Sequence, residues 1–356
     1  MLKPHVTYRP RAEATMTWSV PKLCDAYDWP RDAPGGGTIG IVEARGGYLA
    51  SDLERYFLEL KQPMPAIEEV SIDETRNAPG LDDAADLEVT QDIEIAAAAY
   101  VHATGKPATI RIYWTKDIAA AIRHAAADRC ATLVICWGLP EAMWGRAGAD
   151  ALEAAAIAAT EAGVAIFAAA GDNDSSNGAA GASVDLPAAA PHVIACGGTT
   201  KHAMSETVWN EEPGSASGVG TGGGYSGLFP MPPWQLGAPT GPGRLVPDVA
   251  ANADARTGYE VIFRGAEIAA AGTSAVAPLF GGLFAAFATG LPFVAPLLWS
   301  HPACFADIAA GDNGAFRAQQ GPDPCTGLGV PIGRRLRALF ARPLEVAVPD
   351  ARLLLP

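Results

Sequence analysis

Positive charge is scarce in this chain. Lysine and arginine total 25 against 39 aspartates and glutamates, and only 18% of the 356 residues are charged, leaving a net charge of −14. That balance excludes the basic footprint of a nucleic-acid binder. Cys24, Cys130, Cys136, Cys196, Cys304 and Cys325 contain no Cys-x-x-Cys pair, which argues against zinc and redox motifs. Cys136 in "LVICWG" and Cys196 in "VIACGG" read as buried strand thiols. Cys304 and Cys325 leave a disulfide around a C-terminal loop open. Long apolar runs are missing too. "AFATGLPFVAPLLW" is too short to span a bilayer and is broken by Gly290 and by prolines. The opening "MLKPHVTYRPRAEATMTW" has no apolar core and so no signal-peptide character.

What is present suits a large core, since 49% of the residues are hydrophobic. The runs 38–43, 108–113, 132–137, 164–170 and 192–197 read as buried strands. Helical patterns alternate with them in "YLASDLERYFLEL", "DLEVTQDIEIAAAAYVHA", "KDIAAAIRHAAADR" and "ADALEAAAIAATEAG". The alternation predicts an α/β fold, doubly wound, with a mostly parallel central sheet and helices on both faces. Chemistry in such sheets gathers at the carboxyl ends of strands. The segment 214–243 is rich in glycine and proline, yet Tyr225, Phe229 and Trp234 make it an ordered loop region across the active face rather than a linker. Residues 1–15 read as an arm, and no internal domain boundary is visible.

In "AAAGTSAVAPLFGGLFAAF", a small-residue strand reaches a Gly-Thr-Ser turn and then an apolar helix. Gly272 permits the tight turn. Ser274 then falls at a helix mouth, where backbone N–H groups and the dipole favour developing negative charge. A serine in that place needs a base. The histidines offer none: His124 reads as a surface residue, His192 opens a strand, His102 closes a helix, and His5, His202 and His301 lie in loop-like sequence. Carboxylates do better. Glu88 and Asp92 are spaced i, i+4 on one face of a largely apolar helix, with no basic residue near in sequence. Buried together they would share protons, with one pKa raised. A solvated acidic face is the plain alternative. Asp172 follows an apolar strand and Gly171, a position that also suits an Asx turn.

Taken together, "EVTQDIEIAAA", "AAAGDND", "SGVGTGGGYSGLFPMPPWQ", "VPDVAANADARTGY", "GTSAVAP" and "DPCTGLG" resemble the sedolisins, the serine-carboxyl peptidases, over residues 16–340. The resemblance implies a single catalytic domain of subtilisin-like fold over 16–356. It further implies an endopeptidase that hydrolyses peptide bonds in acid through an acyl-enzyme. Ser274 would be the nucleophile, Glu88 its base and Asp92 the group that tunes Glu88. Asp172, protonated, would donate to the oxyanion where subtilisins use an amide. Glu43 and Trp137 would extend the hydrogen-bond chain behind the Glu-Asp pair. Trp137 and Gly138, with Gly222, Gly223 and Gly224, would flank an extended substrate. Asp248 reads as structural.

The same resemblance implies one structural calcium ion at a loop over 305–329. Asp307 and Asp323 would supply carboxylates, and Ile308, Gln319 and Gly321 carbonyls. Gln319 stands where the family usually has glycine, which a main-chain ligand tolerates if the turn needs no positive φ. The implied partner is a peptide or protein substrate, with no nucleic acid or membrane, and the implied state is a monomer. Sedolisins usually carry a long prosegment and are mostly secreted, whereas Met1 here stands shortly before the resembling region. Whether a prosegment was removed or never existed stays open, as does the compartment. A serine esterase is disfavoured because no Gly-x-Ser-x-Gly elbow surrounds Ser274. A catalytically impaired peptide-binding protein on the same fold is the remaining alternative.

Overall fold

The apolar runs assemble an eight-stranded sheet in the computed structural model, which describes residues 1–287, 290–291 and 293–341. From one edge the strands run Glu206–Val208, Ile194–Lys201, Ala165–Ala169, Thr132–Ile135, Thr38–Glu43, Thr109–Trp114 and Ala66–Ser71, with Val249–Asn252 also paired to Ile194–Lys201. Every pairing is parallel except that of Glu206–Val208. Alternate residues feed opposite cores, as the two-residue period of a strand requires. Ile39, Ile41, Ile110, Ile112 and Val134 meet the helices Asp83–Thr104 and Thr273–Phe287. Val42, Tyr113, Leu133 and Ile135 meet Ile118–Ala127 and Glu141–Glu161 on the other face. This is the single-domain subtilisin-like architecture expected. The C-terminal part of the 16–356 expectation, 342–356, lies outside the described residues.

Three details differ from the sequence reading. Ala66–Ser71 is a half-exposed edge strand, where Glu68 pairs with Arg111, and its polar side hid it. The expected run 132–137 is broken: the sheet strand ends at Ile135, and Trp137–Pro140 turns away to pair with Asp185–Leu186. The fourth expected helix starts earlier, at Glu141, after which Gly145 (φ 67°, ψ 163°) interrupts it. The expected hairpin forms from Tyr259–Phe263 and Ala266–Ala271. The Gly/Pro-rich region is ordered by its aromatics: Tyr225 packs edge-on against Phe316, and Trp234 against Phe293 and Trp299. Asp248 is structural, accepting from Arg244 Nη2 at 2.6 Å and from Trp299 Nε1 at 2.9 Å. Among the described residues no helix is long and apolar enough to cross a membrane.

Asp83–Thr104 and Thr273–Phe287 are both buried almost throughout. The first is capped by Asp82, whose side chain accepts from Ala85 N, and closes at Gly105 in the left-handed region. The two helices meet where Gly282 faces Ala96. A Cβ on Gly282 would lie 2.3 Å from the Ala96 carbonyl oxygen and 3.0 Å from Ala99 Cβ. Two backbones therefore touch here, and a methyl would force them apart. Gly282→Ala should destabilise the fold by about 1–3 kcal/mol through overpacking, outweighing the ~1 kcal/mol that alanine gains in helix propensity. Denaturant unfolding checks this; equal or higher stability would contradict it.

Candidate active site

Ser274 is delivered by the strand Ala266–Ala271 through Gly272, whose φ is +107°. A side chain at Gly272 would sit 2.2 Å from the His5 carbonyl oxygen and 2.5 Å from Asp172 Oδ2, so both the turn and the space demand glycine. Four residues on, Pro278 lacks the N–H that would bond the Ser274 carbonyl. That carbonyl instead faces the Cys136 thiol, with Sγ at 3.5 Å. The Ser274 hydroxyl accepts from Gln91 Nε2 at 2.9 Å. Sequence reasoning missed Gln91, although its place between Glu88 and Asp92 on the same helix was the available signal.

Glu88 and Asp92 are fully buried, and one terminal oxygen of each lies with Cys136 Sγ in a group within 4.8 Å. No carboxylate oxygen of either has an aligned hydrogen bond. Burial raises Glu88 well above its ordinary range, and the neighbouring charges of Asp92 and Glu43 push the same way. The Ser274 hydroxyl pulls Glu88 slightly down. It is thus near enough to favour the carboxylate without a fully formed bond. Burial also raises Asp92, opposed by the Cys136 thiol. Glu43 completes the row: it is buried, raised by desolvation and then by Asp92, and accepts from Trp137 Nε1 at 2.9 Å. The structure therefore gathers Ser274, Glu88, Asp92, Glu43 and Trp137 into one buried array.

Asp172 stands on the other side of the serine. Its Oδ1 accepts from Thr273 N and Thr273 Oγ1, each at 2.8 Å, while Oδ2 is enclosed and unpartnered. Desolvation pushes its pKa up to about 7, against the opposing pull of the Thr273 bonds. The residue is only half-buried overall; the enclosed Oδ2 is what carries the shift.

The arm supplies the clearest geometry. Lys3 and Pro4 pair antiparallel with Gly138 and Trp137. His5 N donates to the Cys136 carbonyl at 3.1 Å, and the His5 carbonyl accepts from Ser274 N at 3.3 Å. The same carbonyl and Asp172 Oδ2 both lie against Gly272. Thr7–Pro10 then pairs with Ala266–Ala271. Residues 3–10 thus run through the cleft as an extended peptide, with the His5–Val6 bond at Ser274. His5, read above as a loop histidine, has its Nε2 3.2 Å from Asp185 Oδ2. It borders a cavity of about 230 Å³ whose lining also includes Gly138, Pro140, Asn177, Asp185 and Val219. Burial lowers His5 to about 4 and raises Asp185, so both groups favour their neutral forms.

The glycine stretch packs closely on the chain's own backbone. Gly222 donates to the Gly171 carbonyl at 2.7 Å, and a Cβ there would meet Ala170 O at 2.2 Å; Gly223 packs as closely on Pro324 O. Gly222, Gly223 and Gly224 are buried, and the first of them braces the Asp172 loop from behind. The residue that this segment gives to the cavity around His5 is Val219.

The C-terminal loops bring the expected calcium residues together. Asp307 Oδ2 accepts from Gly321 N at 2.9 Å, and Asp323 Oδ2 from Gln319 N at 3.0 Å. Burial raises the Asp323 pKa, and the Asp307 charge adds to it. A hard divalent cation would relieve that repulsion, and oxygen donors suit it. Gly321 takes the positive φ of the turn, +85°, while Gln319 avoids it. Cys304 and Cys325 stand as separate buried thiols, so the open question of a disulfide resolves against it in this structure.

Comparison with known proteins follows the geometry. A parallel sheet with a serine at a helix mouth beyond it is the plan of subtilisin-like serine peptidases, and the subtilase family (peptidase S8) model matches residues 104–301. Kumamolisin of Bacillus sp. (strain MN-32) is 39% identical over 379 residues, covering 94% of this chain and 67% of that protein. Sedolisin of Pseudomonas sp. (strain 101) is 38% identical over 167 residues, covering 41% of this chain and 28% of that protein. Tripeptidyl-peptidase SED1 of Arthroderma otae is 30% identical, over 44% of this chain and 29% of that protein. A solved structure of Pseudomonas sedolisin, titled a serine-carboxyl proteinase in complex with pseudo-iodotyrostatin, superposes with a TM-score of 0.79 at 24% identity, covering 92% of this chain and 98% of that one. The chain belongs to the sedolisin family, as a serine-type peptidase.

Raised carboxyl pKa values make stability fall as pH rises, and they outnumber the buried His5 and His102, whose lowered pKa values act the opposite way. Asp172 moves from an ordinary 3.8 to about 7, and Glu43, Glu88 and Asp92 are raised as well. Between pH 4 and 7 the unfolded chain releases these protons while the native state keeps them, so stability falls as pH rises. The Asp172 contribution is a few kcal/mol across that window. Unfolding midpoints should therefore drop from pH 4 towards pH 7, and Asp172→Asn should flatten the slope. An Asp172→Asn slope identical to that of the wild type would contradict the assignment.

Proposed function

We propose that the chain is a serine-carboxyl endopeptidase working in acid, with Ser274, Glu88, Asp92 and Asp172 as its catalytic set. The observation that carries this reading is the His5 carbonyl, which accepts from Ser274 N beside the enclosed Oδ2 of Asp172. A substrate carbonyl in that position meets a nucleophile on one side and two donors on the other. Ser274 Oγ attacks the carbonyl carbon as its proton passes to Glu88. The oxyanion is held by Ser274 N–H and by the protonated Asp172 carboxyl. Glu88 then returns the proton to the leaving amine, the acyl-enzyme forms, and water repeats the sequence to release the acid. Asp92, Glu43 and Trp137 hold and tune Glu88 from behind. Acid is required because Asp172 must stay neutral to donate.

The alternative, a peptide-binding protein that has lost catalysis, draws on the same docked arm. Peptide cleavage over a pH series separates the two. Ser274→Ala and Glu88→Ala should each remove nearly all turnover, and the double variant should be little worse than either, because the pair acts as one unit. Asp172→Asn supplies a donor that does not titrate; it should lose about 100–1000-fold in rate while its remaining activity persists to higher pH than wild type. Substantial activity in Glu88→Ala at its best pH would remove Glu88 from the role. An unchanged alkaline limb in Asp172→Asn would remove Asp172.

We further read Asp307 and Asp323, with the carbonyls of Ile308, Gln319 and Gly321, as holders of one calcium ion that pins the C-terminal loops. An ion bound only by the native state adds stability by mass action. Chelation should lower the unfolding midpoint, calcium should restore it, and Asp323→Asn should abolish the difference. Identical melting curves with chelator and with calcium would mean that these loops are plain turns.

A further inference from the structure

Arg45 lies outside the catalytic array, yet the arm reaches it. If the His5–Val6 bond marks the scissile position, Leu2 is the residue fourth before that bond. Arg45 Nη1 donates to the Leu2 carbonyl at 2.8 Å. The guanidinium is held from two sides. Its Nε donates to Asp82 Oδ2 at 2.8 Å, and its centre stacks 4.8 Å from the ring centroid of Trp137. Both supports belong to the site: Asp82 caps the helix that carries Glu88 and Asp92, and Trp137 opens the strand on which the arm pairs. A rigid donor therefore stands at a fixed distance from Ser274, aimed at main chain and not at any side chain. Beyond it the cleft does not close. Met1 is 93% exposed and edges an open cavity of about 1090 Å³ shared with Arg45, Asp73, Arg76 and Lys116.

We infer that Arg45 is a positioning residue for substrate length: it binds the amide carbonyl of the residue fourth before the cleaved bond, and so selects interior segments of a chain over free N-terminal tripeptides. The inference rests on the peptidase reading and deepens it. A peptide whose free N-terminus is the third residue before the bond offers no carbonyl here. Instead it brings an ammonium group towards a guanidinium. Both effects disfavour it. An acetyl cap on that same amine restores the carbonyl at the position of Leu2 O without adding a side chain.

The test is one peptide sequence made in two forms, free amine and acetylated, beginning three residues before the cleaved bond. The readout is the ratio of their kcat/KM values within each protein. Because both peptides meet the same fraction of unoccupied cleft, the arm cancels from the ratio. In the wild type the acetyl form should be favoured about tenfold, the worth of one charge-assisted hydrogen bond. Arg45→Ala should bring the ratio to near one, chiefly by losing the acetyl form, and Arg45→Lys should recover part of it. A merely structural loss would slow both peptides alike and leave the ratio unchanged, which overturns the inference. So does a wild type that prefers the free amine, the behaviour of a tripeptidyl exopeptidase. If neither form is cleaved at any pH, the peptidase reading fails by itself. The affinities of the same pair for Ser274→Ala then decide: a preference for the acetyl form that Arg45→Ala abolishes supports the clamp, and equal affinities in both backgrounds overturn it.

Discussion

The contact between Gly282 and the Ala96 carbonyl sets the distance between two buried helices, and the site inherits that distance. Ser274 opens one helix and Glu88 and Asp92 lie on the other. Gln91 adds a direct bond from the second helix to the serine hydroxyl at the mouth of the first. With backbone on backbone at the crossing, the serine and the acids have little freedom to separate. The central sheet adds its part by ending Thr38–Glu43 and Thr132–Ile135 side by side, which places Glu43 and Cys136 at the carboxyl ends of neighbouring strands.

That arrangement makes a chemical demand. Glu43, Glu88 and Asp92 share one dry region, and the groups that bond or approach them there are the Trp137 indole, the Ser274 hydroxyl and the Cys136 thiol. These are neutral groups. Without a cation, burial is tolerable only while most of the acids keep their protons. The environment of the site thus favours the protonated forms of these acids before any argument about Asp172. Asp172 is shifted in the same direction, its Oδ2 enclosed without a partner.

Sequence carried much of this. The strands near 38, 109, 132, 165 and 194 are legible because burial on both faces leaves short β-branched runs, and the Glu88–Asp92 pair because i, i+4 spacing on an alanine-rich helix is a local signal. Its functional sense, though, came from six motifs in a familiar order and not from the spacing. What escaped was non-local. The edge strand Ala66–Ser71 exposes polar side chains on both faces of its pattern. Gln91 reads as a helical polar residue until Ser274, distant in sequence, is brought beside it. The glycines at 222–224 signal close approach, and the sequence does not say that Gly222 and Gly223 approach the chain's own backbone at Gly171, Ala170 and Pro324. His5 looked inert because an arm has no periodicity to say where it docks.

The docked arm also explains why the cleft can be read at all. A peptide in the cleft must find partners for those of its N–H and C=O groups that it buries. The arm does so with Gly138 and Trp137 on one side, Cys136 O and Ser274 N at His5, and Arg45 at Leu2. All of these partners bind main chain. The His5 side chain faces Asp185 beside a small cavity, and burial favours the neutral form of both groups. A cleft built this way grips any extended segment along its backbone and asks for shape and polarity at one position. Each further peptide unit of the arm that pairs in this way adds to how firmly it is held.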